Sequence, residues 1–207
     1  MTLSKKQHRG PVRLALTGGI GSGKSSAMSM LVARGVPCLD ADSIVHGLLE
    51  QSEVKEQVAA RLGIGPPAAG EEGRRQLAAA VFGDEAKLRA LEEIMFPPVR
   101  SRIAGWFEDP RVASAPLAAV EMPLLFESGM EDLFDGVVLI TAPVAVRRAR
   151  AAGRRSGADF ERRSSRQLPE TEKRSRAHIV FENIGSLRQM EEFVQGLVER
   201  FQPGGKQ

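Results

Sequence analysis

Gly18-Gly19-Ile20-Gly21-Ser22-Gly23-Lys24-Ser25 constrains this chain more than any other stretch. It satisfies every fixed position of the G-x-x-x-x-G-K-[ST] phosphate-binding loop. Its surroundings carry the right periodicities: residues 12–17 before it form a short β-type run, and Met28, Leu31 and Val32 after it have helical spacing. A loop between a strand and a helix aims successive backbone N–H groups and the positive end of the helix at a polyphosphate. Gly19, Ile20, Gly21, Ser22 and Gly23 supply the expected cradle. Lys24 would reach the β- and γ-phosphates, and the Ser25 hydroxyl would hold Mg²⁺, with Ser26 beside it. The chain is expected to bind ATP or another nucleoside triphosphate.

Strand-like runs at 12–16, 36–39, 117–120, 137–141 and 179–181 alternate with helical patterns at 24–34, 44–50, 144–152, 160–167 and 187–201. That alternation predicts a three-layer α/β/α fold, doubly wound about a mainly parallel sheet. Between 43 and 116 only helix-type segments occur, at 54–62, 76–82 and 85–107, with a Gly/Pro/Ala break at 63–73. The reading is one domain over 12–202, with a helical insertion at about 44–115 that supplies an acceptor pocket. A lid is expected at about 147–167, an N-terminal extension over 1–11 and a disordered tail over 203–207.

Composition narrows the class. The one cysteine, Cys38, excludes an internal disulfide and fits a reducing compartment. No stretch has the apolar length to span a bilayer, and no apolar core follows Lys5, Lys6 and Arg9 as in a secretory signal, so a cytoplasmic protein is expected. The net charge of +3 is uneven: between Arg147 and Arg176 ten arginines and Lys173 stand against four acids. With Phe160 the one interleaved aromatic and no RNA-binding signature, nucleic acid is not the expected partner. The stripe reads either as a solvated helical face or as an arginine-rich lid closing over ATP, where guanidinium groups neutralise charge on a transferring phosphoryl group. In the second reading like charges repel and keep the lid open until phosphate arrives.

A phosphate loop does not by itself choose among switch, motor and kinase. The base-reading Asn-Lys-x-Asp and the Asp-x-x-Gly of a GTP switch are absent. Asp40-Ala41-Asp42 follows the second strand instead, in the crevice where open α/β sheets bind ligands. A carboxylate there accepts the proton of an attacking hydroxyl or holds Mg²⁺ through water, and Asp42 is also a candidate cap for a helix beginning at Ser43.

Several local patterns together resemble the dephospho-coenzyme A kinase family over nearly the whole chain from Leu14 to Phe201. They are the loop from Leu16 to Ser25, Leu39-Asp40-Ala41-Asp42, Glu121-Met122-Pro123-Leu124-Leu125-Phe126-Glu127, Gln167-Leu168-Pro169, Glu172-Lys173-Arg174, Ala177 and Asn183-Ile184-Gly185. The resemblance implies transfer of the ATP γ-phosphoryl group to the ribose 3′-hydroxyl of dephospho-coenzyme A, with Asp42 as catalytic base and Lys24 and Ser25 on phosphate and Mg²⁺. Asp40 would approach the metal through water. Arg148 matches a lid arginine that contacts phosphate, at the family's distance from Gln167. The helical insertion would bind the acceptor, and the protein is expected as a monomer or weak homo-oligomer. Three positions depart from the family pattern: Phe96-Pro97 stands for His-Pro, Glu121 for Asp, and Ala152-Gly153 for Arg-Asp, so that Arg150 or Arg154 would have to substitute. A nucleoside or nucleotide kinase and a non-catalytic nucleotide-binding regulator are the alternatives.

Overall fold

The computed structural model describes residues 10–152, 160–161 and 164–201. Residues 1–9 of the expected N-terminal extension, the tail, and residues 153–159 (Arg154 among them) and 162–163 of the expected lid lie outside the described residues. In chain order the elements are β1 (Val12–Thr17), α1 (Lys24–Val32), β2 (Cys38–Asp40), α2 (Ala41–Leu49), α3 (Ser52–Leu62), α4 (Gly70–Val81), α5 (Glu85–Phe107) and α6 (Pro110–Ala113). These are followed by β3 (Leu117–Glu121), a 3-10 turn (Glu131–Leu133), β4 (Gly136–Thr141), α7 (Val144–Ala152), α8 (Glu170–Arg176), β5 (Ile179–Glu182) and α9 (Leu187–Phe201). They form two compact units, a sheet unit (Met1–Asp40 with Trp106–Gln207) and a helical unit (Ala41–Gly105).

The sheet runs β2-β3-β1-β4-β5 and every pairing is parallel. Parallel sheets need both faces covered, and the burial pattern meets that demand. Leu14, Leu16, Leu117, Ala119, Val138 and Ile140 pack with Leu31 of α1 and Met190, Val194 and Leu197 of α9. The alternate residues Ala15, Ala118, Val120, Val137 and Leu139 face the other way and are equally buried. Because β1 connects toward β2 on one side while β3 crosses to β4 on the other, the sheet's topological switch lies between β1 and β3. The phosphate loop leaves β1 at that point.

The helical unit has its own core of Val58, Leu62, Leu77 and Ala90, flanked by Leu49, Val54 and Ile94. Here α5 has the predicted bounds, but α2, α3 and α4 begin earlier than periodicity predicts. α4 starts at Gly70 inside the expected break, since Glu50 accepts from the Gly70 N–H at 2.8 Å and Gln76 from the Ala68 N–H at 3.0 Å, supporting a weak first turn. α2 starts at Ala41, so Asp42 lies in its first turn rather than preceding it as a cap. α8 is helical although nearly polar all round: Glu170 and Glu172 in its first turn and Lys173, Arg174 and Arg176 in its last complement the helix dipole.

Cys38 is half-buried at the start of β2, and burial pushes its thiol up to about 12. At pH 8 the folded thiol is then about four pH units below its pKa, leaving on the order of 10⁻⁴ as thiolate, against a sizeable fraction at the ordinary value of ~8.5. Native protein is expected to react with iodoacetamide at pH 8 at least ~100-fold more slowly than the same protein in denaturant. Comparable rates by mass spectrometry would contradict the burial assigned to this side chain.

Candidate active site

The loop after β1 keeps its shape through contacts with distant chain. Gly18 has φ 145°, and a Cβ there would meet the Ile140 carbonyl oxygen at 2.0 Å. Gly23, the residue before α1, has φ 104°, and a Cβ there would meet Asn183 Nδ2 at 2.3 Å. Both positions therefore require glycine for conformation and for space. Within the loop, the Ser22 N–H donates to the Gly19 carbonyl at 3.2 Å. The buried Asn183 amide donates to the Ser22 carbonyl at 2.8 Å. Asn183 is itself fixed where β5 ends, its N–H on the Thr141 carbonyl at 2.7 Å and its own carbonyl taking Arg150 Nη1 at 3.2 Å.

Lys24 opens α1 and is almost entirely buried. Its Nζ donates to the carbonyls of Gly18 at 3.0 Å and Gly19 at 3.1 Å and lies 4.0 Å from Glu121 Oε1. Ile20 and Gly21 are half-buried and Ser22 fully buried; Ser26 is half-buried and Ser25 exposed in the first turn of α1. That turn has no side-chain cap. Its N–H groups and the helix dipole are thus suited to an anion.

Two carboxylates end neighbouring strands: Asp40 of β2 and Glu121 of β3 are paired in register. Glu121 also stands opposite Leu16 of β1, and the next residue, Met122, donates its N–H to the Leu16 carbonyl at 2.9 Å. Asp42 belongs to the helical unit, half-buried in the first turn of α2. Among the described residues no group of three or more His, Cys, Asp or Glu is placed to hold a metal ion.

The arginines divide. Arg147 of α7 lies over the loop, where a Cβ on Gly19 would come within 2.2 Å of its Nη1. Its Nε donates to the Ala142 carbonyl at 3.0 Å, and its Nη2 lies 3.9 Å from Glu170. Arg148, the arginine expected on phosphate, is exposed and donates to Glu161 at 2.5 Å. Both guanidinium groups lie near the Phe160 ring, at 5.9 Å and 5.8 Å from its centroid. Ala152 ends α7. Before α8, Gln167 Nε2 donates to the carbonyls of Pro123 at 3.0 Å and Gly18 at 3.4 Å. Glu127 accepts from the Leu168 N–H at 2.6 Å and lies 3.6 Å from the buried ammonium of Lys173. Burial lowers the Lys173 pKa, and the attraction of Glu127 opposes that shift. Leu125 is core and Leu124 half-buried, so Pro123-Leu124-Leu125-Phe126 serves packing at least in part. Phe96, which stands for a histidine, is half-buried in α5.

Sequence reasoning did not assign Arg147, Asn183, Gln167 or Glu121 to the site. Glu121 had an available signal, a carboxylate closing a strand beside the phosphate loop. Gln167 and Asn183 act through loop carbonyls 149 and 161 residues away, and Arg147 lies over a loop glycine, contacts that carry no local pattern.

An all-parallel sheet with a lysine-bearing phosphate loop at its switch point, carboxylates on adjacent strand ends and arginines on the helix over the loop defines a P-loop kinase. Similarity to known proteins narrows this further. The dephospho-CoA kinase family model matches residues 12–189. A dephospho-CoA kinase of Thermus thermophilus is 37% identical over 198 residues, covering 95% of each chain, and one from Anaeromyxobacter dehalogenans is 39% identical over 182 residues, covering 84% of each. Among solved structures, TT1252 from Thermus thermophilus superposes with a TM-score of 0.78 at 34% identity, over 94% of this chain and 100% of the other. The chain belongs to the dephospho-CoA kinase family.

Asn183→Ala removes the donor that fixes the Ser22 carbonyl and leaves that buried oxygen without it. The expected outcome is an ATP affinity about 5- to 100-fold weaker, the scale of an unsatisfied buried acceptor, in a protein that still unfolds cooperatively. Equilibrium titration of ATP checks it, and unchanged affinity would remove Asn183 from the site.

Proposed function

We propose that this chain transfers the γ-phosphoryl group of ATP to the ribose 3′-hydroxyl of dephospho-coenzyme A, giving coenzyme A and ADP in the last step of coenzyme A biosynthesis. The observation that carries the reading is the nearly buried Lys24 ammonium, seated on the Gly18 and Gly19 carbonyls at the start of α1, in a chain of this family. Lys24, whose ammonium has three N–H donors, reaches the β- and γ-phosphates from that seat, while the uncapped first turn of α1, with Ser25 and Ser26, receives the phosphate oxygens.

Mg²⁺ fits the donors present. It binds through few protein carboxylates and retains waters and substrate phosphates, so the exposed Ser25 hydroxyl and the Asp40 and Glu121 carboxylates would suffice to hold it without a preformed cage. Held there, it would neutralise negative charge on the triphosphate. Asp42 takes the proton of the 3′-hydroxyl as general base, and the helical unit supplies contacts to the acceptor. Arg148 leaves Glu161 and closes on the transferring phosphoryl group, excluding water that would compete as acceptor. A second assignment of that role, to Arg147, is favoured by its guanidinium over Gly19. The protein acts in the cytoplasm as a monomer or weak homo-oligomer; its single cysteine supports a reducing compartment.

Substrate-dependent ADP release tests the reading. Dephospho-coenzyme A is expected to stimulate it; stimulation by nucleosides alone, or by nothing, would transfer the chain to one of the alternatives. Asp42→Asn should lower kcat by about 10²-fold or more with ATP affinity little changed, and a larger loss in Asp40→Asn would reverse the two roles. In the same assay Arg148→Ala should lower kcat by about 10- to 1000-fold. A silent Arg148→Ala beside an impaired Arg147→Ala would move the lid role one residue toward the loop.

A further inference from the structure

Two buried charges, Glu127 and Lys173, take no part in the reaction described above. They are paired less tightly than their burial suggests. Lys173 Nζ stays 3.6 Å from Glu127 Oε1, whereas the Leu168 N–H reaches the same oxygen at 2.6 Å. The closer partner of the carboxylate is therefore a backbone donor, in a short, charge-assisted bond. Among the described residues, Glu127 Oε2 is buried with no hydrogen-bond partner. Glu127 sits in a tight turn beyond β3, where the Ser128 N–H donates to the Leu124 carbonyl at 3.1 Å and the Met130 N–H to the Leu125 carbonyl at 3.3 Å. α8 has a second anchor on that turn, the Arg176 guanidinium 4.6 Å from the Phe126 ring centroid, so its seat does not depend on Glu127 alone.

The Leu168 N–H belongs to the same planar peptide unit as the Gln167 carbonyl, so holding one fixes the other. The Gln167 N–H donates to the Ser164 carbonyl at 3.1 Å, and the residue is thereby held on both sides. Its side chain lands on the Pro123 carbonyl at 3.0 Å and on the Gly18 carbonyl, where the phosphate loop leaves β1, at 3.4 Å. Pro123 and Glu127 belong to one segment, so the strap over 164–169 is tied to it at two points and meets the loop at a third. We propose that Glu127 is a positioning residue for the nucleotide site. It fixes the Leu168 peptide and so keeps the Gln167 amide on the loop, while Lys173 supplies the countercharge that lets a carboxylate serve in a buried place. The inference rests on the phosphate loop being the ATP site.

Substitution of Glu127 alone would leave the Lys173 ammonium buried and unpaired, so the test uses charge-balanced pairs. Glu127→Leu with Lys173→Met removes both charges and the acceptor of the Leu168 N–H. This pair is expected to unfold cooperatively near the wild-type midpoint, because apolar replacement of a buried ion pair is often neutral. Its ATP affinity, by calorimetric titration into the millimolar range, should nevertheless fall about 5- to 50-fold, bounded above by the strength of one hydrogen bond to a charged group. Glu127→Gln with Lys173→Met keeps a neutral acceptor and should recover all but about 3-fold of that loss. Gln167→Ala should weaken ATP binding as much as the Leu/Met pair, and the triple variant no more than either, since both act at one contact. Wild-type affinity in the Leu/Met pair would mean that Glu127 only balances Lys173, and failure of that pair to fold would mean that Glu127 only supports the structure. A Gln/Met pair as weak as Leu/Met, or losses that add in the triple variant, would equally overturn the proposal. If Lys24→Ala leaves ATP affinity intact, it is the phosphate-site reading that fails, and this inference falls with it.

Discussion

The site depends on how the carbonyls of the phosphate loop are held. Three side chains from separate parts of the chain fix three of them: Lys24 on Gly18 and Gly19, Gln167 on Gly18 and Asn183 on Ser22. Because each peptide unit is planar, fixing a carbonyl also fixes the N–H on its far side. The loop therefore needs no ligand to set the direction of its donors, and no reorganisation energy is spent when a triphosphate arrives. Gly18 and Gly23 make this geometry possible, since a Cβ at either would collide with the chain that holds the loop.

The parallel sheet supplies the frame. β1 is central, with β3 and β4 as neighbours, so the loop it releases is flanked by the ends of both. From β4 come the Ile140 carbonyl packed on Gly18 and, one residue past its end, the Ala142 carbonyl that aims Arg147. β3 ends at Glu121, 4.0 Å from Lys24, and its continuation at Pro123 accepts from Gln167. The register of β2 on β3 sets Asp40 beside Glu121, so two carboxylates from separate strands end at one edge. A single register slip in either pairing would send these side chains to opposite faces, because strand side chains alternate with period two.

Much of this frame is legible in the sequence. The loop motif and the alternation of apolar runs with helical spacing yield the five strands and the parallel α/β architecture, because such patterns are local and backed by burial on both faces. Helix starts are less legible. α4 begins on Gly70 with help from Glu50, twenty residues away, and α2 begins at Ala41 directly after a strand, where no separate cap residue marks it. α8 lacks an apolar stripe because its buried residue is Lys173, whose partner Glu127 is distant in sequence. Lys24 is evident from the motif, but the partners of the loop are not, since a carbonyl acceptor leaves no trace in residue identity. The spacing that singles out Arg148 cannot distinguish it from Arg147, although α7 directs the first toward Glu161 and the second over Gly19.

The basic stripe between Arg147 and Arg176 has a different electrostatic character from what its charge count suggests. Among the described residues its cations are mostly compensated: Arg148 by Glu161, Arg174 by Glu170 and Glu182, Arg176 by Glu131 and Glu172, and Lys173 by Glu127. Mutual repulsion is then a weaker reason for a lid to stand open than the bare excess of arginine implies. The compensating pairs are unequal, however. The Arg148–Glu161 pair is largely exposed, and exposed pairs contribute only ~0–1 kcal/mol, so a phosphate carrying several negative charges outcompetes Glu161 easily. Lys173 and Glu127 are buried, and separating them would leave a charge in a poorly solvated place. The same stripe thus contains cations available to a nucleotide and a cation committed to the fold, and burial rather than charge decides which is which.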